Sequence, residues 1–119
     1  MSETTVPRRA AGVTSQFMIG GVPGHLMTAA AASGALTHVD LRMGKHGSTL
    51  AGLTDALSMA ITTGLRGGTP TAVFVDELRH TRYVPAGPTS DPELPHATSL
   101  GDYLAQHLHL NHPQPIERP

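Results

Sequence analysis

The chain has 119 residues, with 8 Lys and Arg against 9 Asp and Glu, a net charge of -1, and neither cysteine nor tryptophan. That balance gives no basic field to hold nucleic acid, and the missing cysteines exclude disulfides, thiolate catalysis and Cys-ligated zinc. Only 3% of residues are aromatic, so the core must come from Leu, Val, Ile, Met and Ala; a homodimer is expected, because a shared face adds buried apolar area.

Residues 1–12 are polar, contain Arg8-Arg9, and lack the apolar stretch of a secretory or twin-arginine signal. They read as an N-terminal arm. No apolar run approaches the roughly 20 residues that span a bilayer, so a cytoplasmic protein with no membrane partner is expected. A single domain is expected over residues 13–110. Val13 to Ile19 is a candidate strand stopped by Gly20-Gly21, and Leu26 to Ala31 is a second. After the Ser33-Gly34 turn comes a third, Leu36 to Met43. This third strand alternates: Val39, Leu41 and Met43 point one way, and His38, Asp40 and Arg42 the other. One face therefore packs on a core, and the other is wet or meets a partner.

From Ser48 the period changes. Leu50, Leu53, Leu57, Ile61 and Leu65 recur at helical spacing, with Ser48 as N-cap and Gly67-Gly68 as the stop. Thr69-Pro70 opens a second helix, with Thr69 as its expected cap. Pro85, Pro88, Pro92 and Pro95 forbid a regular element over 84–97. Thr98 is the expected cap of a last helix, on which Leu100, Tyr103, Leu104, His107 and Leu108 share a face. Residues 111–119 hold three prolines and read as a tail. The sum is α+β: about three antiparallel strands packed against about three helices.

Histidine stands out. His25, His38, His46, His80, His96, His107, His109 and His112 equal the Lys and Arg total, so the charge is adjustable near neutrality. On the third strand, His38 and Asp40 lie roughly 7 Å apart as a candidate acid–base pair with Arg42 as an anion clamp. His46 follows after the turn. The same mixture also suits a solvated sheet face.

The stretch Gly44-Lys45-His46-Gly47-Ser48-Thr49 has the dress of a phosphate turn. It is not a Walker A loop, because its lysine precedes the second glycine. Lys45, Gly47 and Ser48 at a helix N-terminus still suit an anion; they equally suit a turn and a helix cap. His80, Arg82 and Tyr83, before the proline loop, make a third candidate for gripping a planar or anionic ligand. They also suit a helix end with Tyr83 packed inward. His107 and His109 are spaced i, i+2 and do not share a helix face, so no metal site is expected there.

Taken together, "GKHGSTLAGLTDALSMAITTGLRGGTP", "TRYVPAGPTSDPE" and "HATSLGDYLAQHLHL" resemble the C-terminal domain of vitamin B12-dependent ribonucleotide reductases. The residues that carry the resemblance are Lys45, Gly47 and Ser48; Gly68, Thr69 and Pro70; Arg82, Tyr83, Pro85, Ala86 and Gly87; and Ala97, Thr98, Ser99, Asp102 and Tyr103. It covers roughly residues 6–110. It implies that fold, and it carries over no catalytic residue. The barrel with the family's cobalamin and substrate sites is absent, as are its redox cysteines, and Val84 stands where the family has Glu.

Two functions follow as expectations. One is a stand-alone module, not itself a reductase, that binds a nucleotide-like or other small anion or a partner protein. The other is a small cofactor-free enzyme doing acid–base chemistry, such as cyclisation or isomerisation in specialised metabolism. In the second case His38, Asp40, His46 and Tyr83 would be catalytic. In either, Arg42, Lys45, Gly47, Ser48, His80 and Arg82 would hold the ligand. No cofactor is expected.

Overall fold

Alternation over the first third of the chain builds an antiparallel sheet in the order β1-β2-β3, from β1 (Ala11–Ile19), β2 (Val22–Ala30) and β3 (Leu36–Met43). Helices α1 (Thr49–Arg66) and α2 (Thr71–Leu78) follow. A two-residue ladder, β4 (Gly87–Pro88) with β5 (His96–Ala97), interrupts the proline-rich loop before the last helix, α3 (Leu100–Asn111). The computed structural model describes residues 11–112. The expected α+β fold of three strands and three helices is the one found. Most of the expected arm (residues 1–10) and tail (residues 113–119) lies outside the described residues.

β1 and β2 form a hairpin closed by Gly20 and Gly21, whose φ angles of 55° and 83° are those a tight two-residue hairpin turn requires. β2 therefore starts at Val22, four residues before the expected Leu26. Pro23 is tolerated because it faces Met18, whose backbone is turned the other way. The Met18 N–H donates to Ser90 Oγ (2.8 Å) and its carbonyl accepts from Ser90 N (3.1 Å).

Two caps differ from expectation by one residue. Pro70 is the N-cap of α2, with no side-chain cap bond, while the Thr69 N–H is spent on the Gly64 carbonyl of α1. Ser99, not Thr98, caps α3, because the Thr98 hydroxyl is already donated to Thr81 O (2.7 Å).

One face of the sheet carries Phe17, Ile19, Leu26, Val39, Leu41 and Met43 into the core. Ile61 of α1, Val75 of α2 and Leu104 and Leu108 of α3 close it from the other side. Tyr103 stacks on Phe17 with ring centroids 4.4 Å apart, a pairing worth about 1 kcal/mol beyond the area it buries. Among the described residues no helix is long and apolar enough to cross a membrane.

Candidate functional site

Among the described residues β3 is an edge strand, so one row of its N–H and C=O groups has no neighbouring strand. α1 runs antiparallel to it and answers that row with side chains. Ser58 Oγ accepts from Leu41 N (2.8 Å) and lies 3.2 Å from Leu41 O, and Thr62 Oγ1 accepts from Val39 N (3.1 Å) and donates to Val39 O (3.0 Å). Arg66 Nε donates to Thr37 O (3.2 Å). The match is metric: four helical residues rise about 6 Å, close to the ~6.6 Å of two strand residues. Positions 58, 62 and 66 thus track 41, 39 and 37.

This seal sets the outer face of β3 beside α1 and leaves an open groove of about 440 Å³. His38, Asp40 and Arg42 line one wall, and Asp55, Met59 and Thr63 the other. Asp40 accepts from Arg42 Nε at 3.2 and 3.3 Å. That hydrogen bond, then the charge of Asp40, raises the Arg42 pKa above its usual value. His38 Nδ1 faces Arg66 Nη2 at 3.5 Å. A guanidinium only donates, so this contact uses Nδ1 as acceptor. The structure therefore gathers His38, Asp40 and Arg42 in one groove, but turns Asp40 to Arg42 and His38 to Arg66.

The glycine turn lies off the groove. Lys45, His46 and Gly47 are exposed, and none of them lines it. Ser48 does what a cap does: with φ -79° and ψ 160°, its Oγ accepts from Ala51 N (3.1 Å), and its own N–H donates to Lys45 O (2.9 Å). Gly44 and Gly47 supply φ angles of 93° and 83°. A Cβ at Gly44 would also crowd Ser48 Oγ at 3.0 Å.

His80, Arg82 and Tyr83 sit at the N-terminus of α3, and two of the three are spent on holding it. His80 adopts φ 65°, and its N–H donates to Asp102 Oδ1 (2.8 Å). Tyr83 OH accepts from Gly101 N (2.8 Å), and its N–H donates to Thr98 O (3.2 Å). Arg82 is exposed. Beneath them, Thr81 Oγ1 shares a 2.7 Å hydrogen bond with Ser99 Oγ. Asp102 Oδ2 accepts from Thr98 N (3.1 Å) and Gln106 Nε2 (2.7 Å). Burial pushes the Asp102 pKa up, but the bonds from His80, Thr98 and Gln106 outweigh it and hold the carboxyl below the ordinary Asp range.

The profile of the TSCPD domain family matches residues 2–111. The chain belongs to the TSCPD domain family. It is 38% identical over 106 residues to the vitamin B12-dependent ribonucleotide reductase of Streptomyces avermitilis, which covers 89% of this chain and 11% of the reductase. The corresponding enzyme of Streptantibioticus cattleyicolor is 38% identical over 106 residues, 89% of this chain and 18% of that protein. That of Rhodopirellula baltica is 32% identical over 103 residues, 87% and 10%. The chain thus spans between a tenth and a fifth of the length of these relatives. No solved structure matches it.

In this TSCPD domain the residues of the resemblance fall mostly in the cap of α1 and in the network around Asp102, where they shape the fold. The α1 wall of the groove, Asp55, Met59 and Thr63, lies inside the first stretch of the resemblance but at positions other than those that carry it, and the β3 wall lies outside it. Sequence reasoning missed Asp55, Met59 and Arg66 as neighbours of His38 and Asp40. Their signal was present only as positions off the expected apolar stripe of the helix that follows the strand.

Proposed function

We propose that this TSCPD domain is a binding module, not itself a reductase, that docks on a partner protein through the β3–α1 groove. The observation that carries the reading is the composition of the groove. Met59, 67% exposed, shares the groove with His38, Asp40, Arg42 and Asp55. An exposed apolar side chain among polar and charged ones has the anatomy of a docking patch. The relatives add support: in them the matching segment adjoins a far longer chain. Acid–base catalysis draws less support, since His38 and Asp40 are each turned to an arginine. The expected homodimer belongs to this proposal too; Leu53, exposed on α1, is the face it would cover, and light scattering at micromolar concentration tests it.

The test is calorimetry of the chain against the Streptomyces avermitilis reductase with its matching segment deleted. Saturable, salt-sensitive binding with a Kd of order micromolar is expected, as for a transient interface. Met59→Glu should weaken it at least about tenfold by placing a charge in the apolar centre. Absence of binding would overturn the reading for this partner class. Saturable binding of a nucleoside triphosphate, lost in Arg42→Ala, would replace the protein partner with a small anion.

A further inference from the structure

The two edges of the sheet are finished differently. α1 seals β3, but β1 has a long open row. Along β1 the N–H and C=O groups of successive residues face β2 and the edge in turn. Met18 belongs to the outward row, as its bonds to Ser90 show, and so do Gly12, Thr14 and Gln16. At one end the proline loop already uses this edge: Ser90 pairs with Met18, and the Gly20 N–H donates to Pro88 O (2.9 Å). Among the described residues nothing answers the row at Gly12, Thr14 and Gln16. β1 also lacks the devices that protect an open edge. Its 9 residues include neither a charged side chain nor a proline, and its register with β2 runs without a bulge.

An open polar pocket of about 350 Å³ lies beside this edge, with Ser15 and Gln16 on one side and Asp91 and Glu93 of the proline loop on another. Among the described residues that line it there is neither Lys nor Arg. Val13 points to the same face of β1 as Ser15 and Phe17 and is 57% exposed. A strand added here would meet carboxylates beside Ser15 and bare apolar surface at Val13.

We propose that β1 takes an extended basic segment of a partner protein as an added antiparallel strand, with the backbone of Gly12, Thr14 and Gln16 as its ladder. The segment's side chain opposite Ser15 is Arg or Lys, reaching toward Asp91 and Glu93, and the one opposite Val13 is apolar. Those opposite Thr14 and Gln16 lie on the exposed face and are polar. Main-chain bonds supply the affinity in such strand addition, and alternate side chains the specificity. Charge complementarity sets the sign: an acidic segment would bring a third carboxylate to two that no cation of the pocket offsets. This edge is separate from the β3–α1 groove, and the proposal does not depend on it.

The test is NMR of the full chain during titration with the blocked peptide acetyl-Thr-Arg-Thr-Val-Thr-amide. The Thr14 and Gln16 amide resonances should shift saturably, with a Kd on the order of 1 mM. The same peptide with Glu in place of Arg should bind at least about tenfold more weakly. Glu93 is exposed, and Glu93→Gln keeps the N–H that donates to Asp91, so this variant tests the charge without testing the fold. It should weaken the Arg peptide about threefold, as for an exposed charge pair. Thr14→Pro removes an N–H that β2 does not use and should abolish binding; if that variant fails to fold, the Glu peptide and Glu93→Gln still decide. Asp40→Asn, in the groove, should bind as the parent does. The proposal is overturned if Thr14 and Gln16 show no saturable shift, or if the Glu peptide binds as tightly as the Arg peptide. It is also overturned if hydrogen exchange at these two amides is already slow without peptide. Slow exchange at every protein concentration would mean that this chain covers its own edge, and slow exchange only at high concentration that a second copy does.

Discussion

The α1–β3 edge and the N-terminus of α3 solve one problem in two ways. Both must satisfy backbone groups that regular structure leaves open, and both use hydroxyls for it. At the edge, Ser58 and Thr62 serve the strand on one side, while the outer side opens to solvent. There Arg42 is 60% exposed and its ion pair with Asp40 is wet. At α3 nothing opens. Asp102 is 3% exposed and answers His80, Thr98 and Gln106 at once. Charges built into a closed network fix the fold; charges left beside an open groove are free to be answered by something else.

The contrast breaks hardest at Asp102. Asp102→Asn turns an amide N–H₂ toward one of the backbone N–H groups that the carboxylate accepts from. It should cost about 2–3 kcal/mol, the penalty of leaving a buried donor unmet next to a lost charge. Urea denaturation reads this directly. The same carboxylate carries a pH signature. Its folded pKa is depressed, so its stabilisation is fully present above the unfolded value of about 3.9 and is lost as the pH falls through the folded value. In Asp102→Asn that acid-side loss should flatten.

His107 sharpens the pH argument from another site. Burial pushes its pKa down, an effect that the charge of Asp91 opposes. The unfolded ring protonates near pH 6.5, before the folded one does. Stability should therefore be fully present above that pH and fall as the pH drops from it toward the folded value. His112 is also lowered by burial, so His107→Leu should remove only part of the slope. An unchanged slope in that variant would place the effect elsewhere.

At the edge the expected loss is smaller. Ser58→Ala removes the hydroxyl that accepts from the buried Leu41 N–H and donates to Thr54 O (2.8 Å). It should cost about 1–2 kcal/mol, since water has little access to replace the hydroxyl. Thr62→Val, at a partly buried position, should cost about 1 kcal/mol or less for the same reason. Reversal of that order would mean that the seal is weaker at its centre than its geometry indicates.

These regions were unequally legible in the sequence. The alternation of β3 and the apolar stripe of α1 are period signals confined to single elements, and they placed His38, Asp40 and Arg42 on one face. Pro23 and Gly24 hid the start of β2, because a breaker is harmless when its backbone faces away from the ladder. The Ser58–Leu41 seal needs the direction in which α1 crosses β3, which no local pattern holds. Nor does spacing say whether Asp40 turns to His38 or to Arg42; both lie two residues away. Asp91 and Tyr103 lie on different elements, so their hydrogen bond appears only in the folded chain.

The smallest expected effect on stability, and the sharpest on binding, lies in the groove. His38 and Asp40 contribute to no core contact: both side chains leave β3 on its outer face, opposite Val39 and Leu41. Exposed ion pairs of this kind add little to folding, because water screens them and ordering the side chains costs entropy. His38→Ala and Asp40→Asn should therefore melt with the parent. Asp40→Asn keeps an oxygen that accepts from Arg42 Nε but removes the charge, leaving the guanidinium at the rim without that counterion. A partner that reads the Asp40–Arg42 pair should then bind more weakly, with a changed dependence on salt. Tyr83→Phe, which strips one hydrogen bond from the start of α3, should do the reverse: a modest loss of stability and no loss of binding. If the groove variants bind normally while Tyr83 and His80 variants lose binding with the fold intact, the contact surface is the proline loop and not the groove.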